Sequence, residues 1–436
     1  MPMSPPNDHL ARLPAAPGEG APLADWLTYL ESIHPTEIDL GLDRVMVVFR
    51  RLFRSNPRAR ILTVGGTNGK GSTVVALEHL LACAGRTTGA YTSPHLQKYN
   101  ERVRINGADV SDDTLVRAFE SVESARGAVS LTYFEFGTLA AFIVFNESGV
   151  DDWVLEVGLG GRLDAVNILD ADLAIITSVD LDHMAFLGND VETIGFEKAG
   201  ILRANRPAIF ADVDPPRSVL QQASAQNIRL LRPGAGYQLA RSSGQDAATR
   251  LEIDGDPTRI RLPDLGLPVN SLAAAVVAIR MLEPELPAGV IEHTLGNLSL
   301  AGRFERLGES PLVIADVGHN PHAARWLSAR ISAIRKPGQR VLAVYGALAD
   351  KDVENVTAAM AKQVDQWFPA ALDVPRGLGC DELTSRMSMR NNAASCGCSG
   401  SVAEAVSAAL SEALESDMVL IFGSFFTVAA AREILM

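Results

Sequence analysis

The chain has 436 residues, and at about 150 residues per domain a chain of this length folds into two or three domains. Hydrophobic residues make up 47% and charged residues 21%, which permits large buried cores, while no apolar run approaches the roughly 20 residues of a membrane-spanning helix. The net charge of −13 argues against a broad nucleic-acid surface, and four cysteines are too few for a disulfide framework, which favours a reduced, cytoplasmic setting.

The N-terminal stretch 1–22 is rich in Pro and Ala and lacks the apolar segment of a secretory signal, so we expect a loose tail. Beyond it, short apolar runs rich in β-forming residues alternate with helical periodicity. These runs lie at residues 61–64, 153–157, 173–179, 208–210, 312–315, 341–344 and 418–422. Near-continuous apolar strands that alternate with helices predict an α/β fold with parallel sheets covered on both faces.

One segment departs from this alternation. Residues 250–262 show a period of two around Asp254-Gly-Asp256, which is typical of a β-hairpin. Later, two predicted helices over 271–282 and 289–295 are followed by Gly302-Arg303, and a new series of strands and helices begins. We therefore expect a domain boundary near residue 300.

Residues 65–72 are the most informative stretch of the chain. Gly65-Gly-Thr-Asn-Gly-Lys-Gly-Ser72 directly follows the strand predicted over 61–64. Its glycines allow backbone N–H groups to face an anion, and the helix predicted over 73–84 offers its N-terminus. Gly71 separates Lys70 from the hydroxyl of Ser72, so the usual phosphate-loop pattern is matched imperfectly. The alternative is a structural glycine turn, but strand, lysine, hydroxyl and helix together favour phosphate binding.

Polar residues gather where the other predicted strands end. These clusters lie at residues 156–164, 180–183, 316–321, 346–352 and 423–424. In open α/β sheets ligands bind at the carboxyl ends of the strands. Because the clusters occur in both halves of the chain, we expect an active site between two domains.

Three of these polar side chains have more than one interpretation. Glu156 lies in an apolar strand, where a carboxylate must be paired, for example with Arg162, or bound to a metal. His183 fits a structural histidine as well as a ligand. Lys198 would ordinarily be solvated on its helix, and an ammonium ~4 Å from a divalent cation is disfavoured by about 8 kcal/mol at an effective dielectric of ~20. Near a metal Lys198 would have to point away or lose its charge, as it does on carbamylation.

Two further clusters have ordinary explanations. Asp316, His319 and Asn320 fit a capped turn as well as a nucleotide contact. Cys396-Gly-Cys398 has the ligand types of a metal site, but no second pair of ligands lies nearby in the sequence.

As a set, the motifs resemble the Mur ligase superfamily and, within it, the bifunctional dihydrofolate synthase/folylpolyglutamate synthases. The matching stretches occur in family order at residues 34–42, 66–72, 92–96, 101–104, 131–135, 156–164, 181–183, 197–200, 316–322 and 423–425. Taken singly, only 66–72 and 156–164 are specific. The family usually has Pro at the position of Ala301, Ala at that of Gly318 and His at that of Phe426.

The resemblance implies a P-loop NTPase-like domain with a mainly parallel sheet over 23–299 and a smaller Rossmann-like α/β ligase domain over 300–436. It implies ATP-dependent ligation of L-glutamate to dihydropteroate, giving dihydrofolate, and to reduced folates through an acyl phosphate. It further implies a monomer, while the net charge and the absence of long apolar runs disfavour nucleic-acid and membrane partners. A Mur-type cell-wall amino-acid ligase and a non-catalytic nucleotide-binding regulator are the alternatives. Residues 131–135 and 156–164 disfavour the first, and Lys70, Glu156 and Lys198 disfavour the second.

The resemblance also implies roles for individual residues. The predicted ATP contacts are Thr67, Asn68, Gly69, Lys70, Gly71, Ser72, Asn270, Arg303 and Asp316. The predicted pterin pocket consists of Thr132, Tyr133, Phe134, Glu135, Leu163, Asp164 and Ala165. Two Mg²⁺ ions are expected, one on Ser93 and Glu156 and the other on His183 and carbamylated Lys198. The predicted catalytic residues are Lys70, His183 and Lys198.

Overall fold

A computed structural model describes residues 15–241, 248–388 and 397–436. Most of the predicted tail, residues 1–14, lies outside this range, as does Cys396. Within the described ranges, no helix combines the length and the apolar character required to cross a bilayer. The strands form two separate sheets, which confirms the α/β class predicted from the sequence.

Among the described residues, the first sheet has eleven strands in the order β11-β10-β9-β8-β7-β6-β1-β5-β2-β3-β4. The strands are β1 (Arg60–Gly65), β2 (Thr88–Tyr91), β3 (Val103–Ile105), β4 (Ala108–Asp109), β5 (Asp152–Glu156), β6 (Leu173–Ile176), β7 (Ala208–Phe210), β8 (Leu230–Pro233), β9 (Gly236–Arg241), β10 (Thr249–Ile253) and β11 (Arg259–Leu262). The central strands are parallel. The predicted hairpin is confirmed, because β10 and β11 pair in antiparallel fashion.

Helices cover both faces of this sheet. They are α1 (Leu23–Ser32), α2 (Asp43–Leu52), α3 (Lys70–Cys83), α4 (Asp112–Arg126), α5 (Tyr133–Ser148), α6 (Met184–Leu187), α7 (Val191–Ala199), α8 (Arg217–Ala225), α9 (Val269–Leu282) and α10 (Ala288–Gly296). Short 3₁₀ helices occupy Tyr99–Arg102 and Ala165–Ile168. Ile61 of β1 joins the core beneath α4 and α5, whereas Leu62 joins the core beneath α3 and α9. Burial on both faces explains why these strands are almost continuously apolar.

The second sheet has the order β12-β13-β16-β14-β15. Its elements are β12 (Glu305–Glu309), β13 (Leu312–Asp316), α11 (Pro321–Ile334), β14 (Val341–Tyr345), α12 (Val353–Met360), β15 (Gln366–Pro369), α13 (Cys380–Ser388), α14 (Val402–Glu412), β16 (Met418–Phe422) and α15 (Phe425–Leu435). β12 is antiparallel to β13, and the other neighbouring strands are parallel. The chain passes between the two sheets through α9 and α10. The expected boundary near residue 300 stays a prediction.

The cysteines differ from expectation in one respect. Cys398, considered above as a partner of Cys396 in a metal site, forms a disulfide with Cys380. The Cys398 sulfur is therefore not available as a metal ligand. Its bonding partner lies at the start of α13, 18 positions away in the chain, and only the fold shows this pairing.

Candidate active site between the two sheets

The carboxyl ends of three parallel strands meet at one edge of the first sheet. β1 lies between β5 and β6, and the register places Glu156 beside Val64 and Ile176 beside Gly65. The glycine-rich loop, the Glu156 segment and the segment that leads to His183 therefore leave the sheet side by side. This is the position at which α/β sheets bind ligands.

Two glycines of the loop are required by the backbone and by close neighbours. Gly66 has a φ of +143°, and a Cβ there would collide with Thr177 Oγ1. Gly69 has a φ of +85° and caps α3, and a Cβ there would collide with Ser271 Oγ. The loop is thus held tightly between β6 and α9, with only hydrogen on its inner side.

Lys70 is the first residue of α3, three positions before the helix start predicted from the sequence. Its Nζ donates to the carbonyl oxygens of Gly66, at 3.1 Å, and Thr67, at 3.3 Å. The ammonium therefore lies over the loop, where the first N–H groups of α3 also point. A helix N-terminus and a lysine at one point are a combination that favours phosphate binding.

Glu156 ends β5 and is only 5% exposed. Burial raises the pKa of its carboxyl group, which the Lys70 ammonium, the Ser93 N–H and the Arg303 guanidinium partly offset. The backbone N–H of Ser93 donates to Glu156 Oε2 at 3.2 Å. The suggested ion pair with Arg162 is wrong, because Arg162 pairs with Glu197 at 2.9 Å. The Glu156 carboxyl group therefore faces the glycine-rich loop, residues 65–72, which is called the phosphate loop below.

His183 and Lys198 approach the same region from the segment after β6 and from α7. His183 adopts a left-handed conformation, with a φ of +51°, and burial lowers the pKa of its imidazole to about 4. Lys198 is 4% exposed, and burial, followed by the repulsion of Lys70, lowers the pKa of its amine to about 7. Lys198 is therefore not the solvated helix lysine that its sequence context suggests.

Lys70 lies at the centre of this group. Burial is the largest cause of the pKa shift at each of four side chains, and the positive charge of Lys70 lowers the pKa of all four. They are Glu156, Asp164, His183 and Lys198. The structure thus brings together residues that are far apart in sequence. In the described part of the chain, no cluster of three or more His, Cys, Asp or Glu side chains could hold a metal. A metal here would need hydroxyl, phosphate, water or carbamate oxygens as well.

The residues of the predicted pterin pocket lie at the start of α5 and in the segment that follows β5. Thr132 caps α5, with Thr132 Oγ1 accepting from Glu135 N and Glu135 Oε2 accepting from Thr132 N. The Phe134 ring lies against Gly158, where a Cβ would come within 2.7 Å of it. Glu135 Oε1 is buried and has no hydrogen-bond partner among the described residues. An unpartnered buried acceptor of this kind fits a ligand with N–H donors.

Asp164 is a second buried carboxyl group among the predicted pterin contacts. Burial raises its pKa to about 7, although the N–H groups of Leu159, at 2.8 Å, and Val166, at 3.1 Å, donate to it. Leu163 is half-buried and Ala165 is buried beside it. The residues predicted to contact the pterin therefore include two buried carboxyl groups and apolar side chains.

The second sheet contributes its own strand ends. Asp316 closes β13 and accepts from the N–H groups of Phe304, at 2.9 Å, and Gly318, at 2.8 Å. Arg303 stacks over the Phe425 ring, 4.9 Å from its centroid. Asn270 lies in the first turn of α9, next to the serine whose hydroxyl donates to Gly69 O. Asn270 thus lies on α9, and Arg303 and Asp316 lie at the start of the second sheet, while their contact with ATP stays a prediction.

Comparisons with known proteins agree with this arrangement. Residues 64–260 match the model of the Mur ligase middle domain, and residues 302–425 match that of the Mur ligase glutamate ligase domain. A dihydrofolate synthase/folylpolyglutamate synthase from Escherichia coli (strain K12) is 43% identical over 419 residues, covering 96% of this chain and 97% of the relative. The chain belongs to the dihydrofolate synthase/folylpolyglutamate synthase family. It is therefore a ligase, and the resemblance noted in the sequence is confirmed.

Solved structures of the family superpose closely on the chain. E. coli FolC in complex with DHPP and ADP has a TM-score of 0.90 and 42% identity, covering 96% of this chain and 99% of that one. A bifunctional folylpolyglutamate synthase/dihydrofolate synthase with Mn, AMPPNP and L-glutamate bound has a TM-score of 0.87 and 39% identity, covering 97% and 100%. The family fold therefore extends over both sheets.

Several residues at this family site were given no role from the sequence. Arg44 donates from Nε to Glu135 Oε2 at 2.8 Å and so fixes a carboxylate of the predicted pterin pocket. Asp182, His322 and Lys351 join the two halves of the site across the cleft. Asp182 and Lys351 each follow the end of a strand, and this position in the sequence could have identified them as candidates. Only the fold shows that they contact each other.

Proposed function

We propose that the chain joins L-glutamate to dihydropteroate, giving dihydrofolate, and to reduced folates, at the expense of ATP. The observation that carries the proposal is the convergence on Lys70 of the glycine-rich loop and two buried carboxyl groups, those of Glu156 and Asp164. The nucleotide, DHPP and glutamate in the structures of relatives support the same substrates. These relatives favour a folate ligase over the two alternatives, a cell-wall ligase and a non-catalytic regulator.

The reaction would proceed in two steps. A carboxylate oxygen of the pterin substrate attacks the γ-phosphorus of ATP, and ADP leaves with the electrons of the broken P–O bond. The amine of glutamate then attacks the acyl phosphate, inorganic phosphate leaves, and the amine loses a proton. Lys70 and the N-terminus of α3 would stabilise negative charge on the phosphoryl group during the first step.

A divalent metal would be held by side chains around Lys70. Ser93 and Glu156 would hold one Mg²⁺, and His183 and a carbamate on Lys198 a second. Magnesium bound there would neutralise charge on the phosphates. Buried Glu156, whose carboxylate lacks a salt-bridge partner among the described residues, suits such a cation. A buried Lys198 amine with a pKa of about 7 is partly neutral, and the neutral amine is the form that adds CO₂.

The pterin ring would be recognised by Glu135 and Asp164. A pterin presents ring N–H and amino N–H donors, and both carboxyl groups are buried acceptors. Arg44 and the Thr132 cap fix the orientation of Glu135. A monomeric state, a cytoplasmic location and a domain boundary between residues 299 and 300 remain predictions from the sequence.

The direct test is incubation with ATP, Mg²⁺, L-glutamate and dihydropteroate. We expect dihydrofolate and ADP in equal amounts, and no ADP above background when the pterin is omitted. Tetrahydrofolate in place of dihydropteroate should yield a glutamylated folate. Lys70→Met should abolish both products.

The two alternatives predict other outcomes. Amide formation only with UDP-muramoyl substrates would favour a cell-wall ligase. ATP binding without turnover on any folate substrate would favour a regulator.

A further inference from the structure

Hydrogen bonds cross the cleft directly at the phosphate loop. Asn68 donates from Nδ2 to Asn320 Oδ1 at 3.1 Å, and Asn320 donates from Nδ2 to Asn68 Oδ1 at 3.0 Å. Asn68 Nδ2 also lies 2.7 Å from His322 Nδ1. Asn320 and His322 lie at the start of α11, so the second sheet's domain is tied to the loop predicted to hold ATP.

Beside these contacts lies an ion pair between the two halves. Lys351, after β14, places Nζ 3.2 Å from Oδ1 of Asp182, after β6. Asp182 Oδ2 accepts from Asn320 Nδ2 at 2.9 Å. Asn320 therefore connects the Asp182–Lys351 pair to Asn68 of the phosphate loop.

This pair is shielded from solvent, unlike the arginine–carboxylate pairs that cross the cleft. His319 Nε2 also lies 3.8 Å from Asp182 Oδ2, with its side chain 25% exposed. The Lys351 and Asp182 side chains are 9% and 12% exposed. By contrast, Arg325 pairs with Asp180 at 2.7 Å, with the two side chains 58% and 26% exposed. Exposed pairs contribute little to stability, whereas loss of one partner of a shielded pair leaves an uncompensated charge. Lys351 is therefore the cation whose removal should loosen the cleft most.

We propose that Lys351 is a positioning residue that holds the cleft shut while the acyl phosphate exists, so that glutamate rather than water attacks it. This inference rests on the proposed function. Lys351 acts through Asp182 and Asn320 on the phosphate loop and does not take part in bond making. An acyl phosphate exposed to water hydrolyses, so the consequence of a loose cleft is ATP consumption without amide.

The test compares Lys351→Met with wild type and with Arg325→Met, which removes an exposed pair across the same cleft. We expect Lys351→Met to lower kcat for amide formation by roughly 10- to 100-fold, the size of effect that a displacement of about 1 Å produces. ADP should exceed amide severalfold, while the Kd for ATP changes little. Arg325→Met should keep one ADP per amide. Lys351→Arg, which retains the charge, should restore coupling in large part.

Each outcome bears on one of the two proposals. A folded Lys351→Met that still makes one amide per ADP at the wild-type rate overturns the role of Lys351. If Lys351→Met does not fold, Asp182→Asn takes its place, because it keeps the side-chain shape and removes the charge. A folded, coupled Asp182→Asn would likewise overturn the role. Wild type that forms no amide contradicts the proposed function instead.

Discussion

Lys198 shows how strongly one residue's chemistry depends on its surroundings. On its own helix it has the sequence context of a solvated lysine, yet in the fold it is 4% exposed. Burial and the nearby Lys70 lower the pKa of its amine to about 7. The same side chain would have an ordinary lysine pKa on the surface. Its proposed role as a carbamylated ligand depends on this burial.

Replacing Lys198 tests that role. We expect Lys198→Ala to bind ATP with little change but to lose ligation by roughly 100-fold or more, because a metal ligand stabilises the transition state by several kcal/mol. A short carboxylic acid such as acetate should restore part of the activity by supplying the missing oxygen. The measurement is amide formation with and without acetate, beside the Kd for ATP.

Lys362→Ala serves as the control for this variant, because Lys362 is an exposed lysine of the second half. It should behave as wild type, and acetate should have no effect on it. Full activity of Lys198→Ala would remove Lys198 from the metal site.

Two of the predicted binding sites lie at helix starts: the predicted phosphate site at the start of α3 and the predicted pterin pocket at the start of α5. Apolar periodicity predicts α3 only from residue 73, whereas the helix begins at Lys70. Periodicity detects apolar faces, and Lys70-Gly-Ser72 has no apolar side chain larger than glycine, so the sequence assigned these residues to the loop and not to the helix. At α5 the reverse holds. Thr132 and Glu135 form a capping box that is readable in the sequence.

Two effects of Thr132 can be measured separately: its stabilisation of α5 as the N-cap and its predicted contribution to pterin binding. Thr132→Ala should lower the free energy of unfolding by about 1 kcal/mol. It should also raise the KM for dihydropteroate about fivefold, since one hydrogen bond contributes about 1 kcal/mol. The measurements are urea unfolding and pterin saturation kinetics.

Ser401→Ala is the matched variant, because Ser401 caps α14 with a hydrogen bond from Glu404 N at 3.2 Å. It should lose similar stability with no change in the KM for dihydropteroate. Equal KM values in the two variants would show that the Thr132 cap only stabilises its helix.

At the scale of the whole molecule, the two edges of the first sheet have different tasks. The carboxyl edge holds the phosphate loop, Glu156 and the cleft. At the amino edge, Asp152 begins β5 and is fully buried. Its carboxylate accepts hydrogen bonds from Arg60 Nε and from Arg86 Nε, the latter at 2.7 Å. These ion pairs join β1, β5 and the turn before β2, far along the strands from the site.

Asp152→Ala should therefore change stability and spare catalysis. Loss of a buried carboxylate that pairs with two arginines should lower the free energy of unfolding by about 3 kcal/mol. kcat should stay near the wild-type value at temperatures where the variant is folded. Urea unfolding followed by steady-state kinetics measures both.

Asp170→Ala provides the comparison, since Asp170 pairs with Arg203 but its side chain is 81% exposed. An exposed pair contributes about 0 to 1 kcal/mol, so this variant should unfold near wild type. A loss of kcat in folded Asp152→Ala would show that the two edges are coupled.

The sequence by itself determined the α/β class, the hairpin over 250–262, the glycine-rich loop after the first strand and the family. These depend on local chemistry: which residues repeat with a period of two or 3.6, which allow a positive φ, and which combinations of motifs occur in one order. Glu156 could be singled out because a carboxylate within an apolar strand needs a partner.

The tertiary structure alone decided what those residues face. It excluded Arg162 as the partner of Glu156, buried Lys198, joined Cys398 to Cys380 and brought Lys351 to Asp182, 169 positions away in the chain. Partners, pKa values and cleft contacts depend on distances between segments far apart in sequence. Those distances are set by strand order and domain placement, which no local pattern encodes.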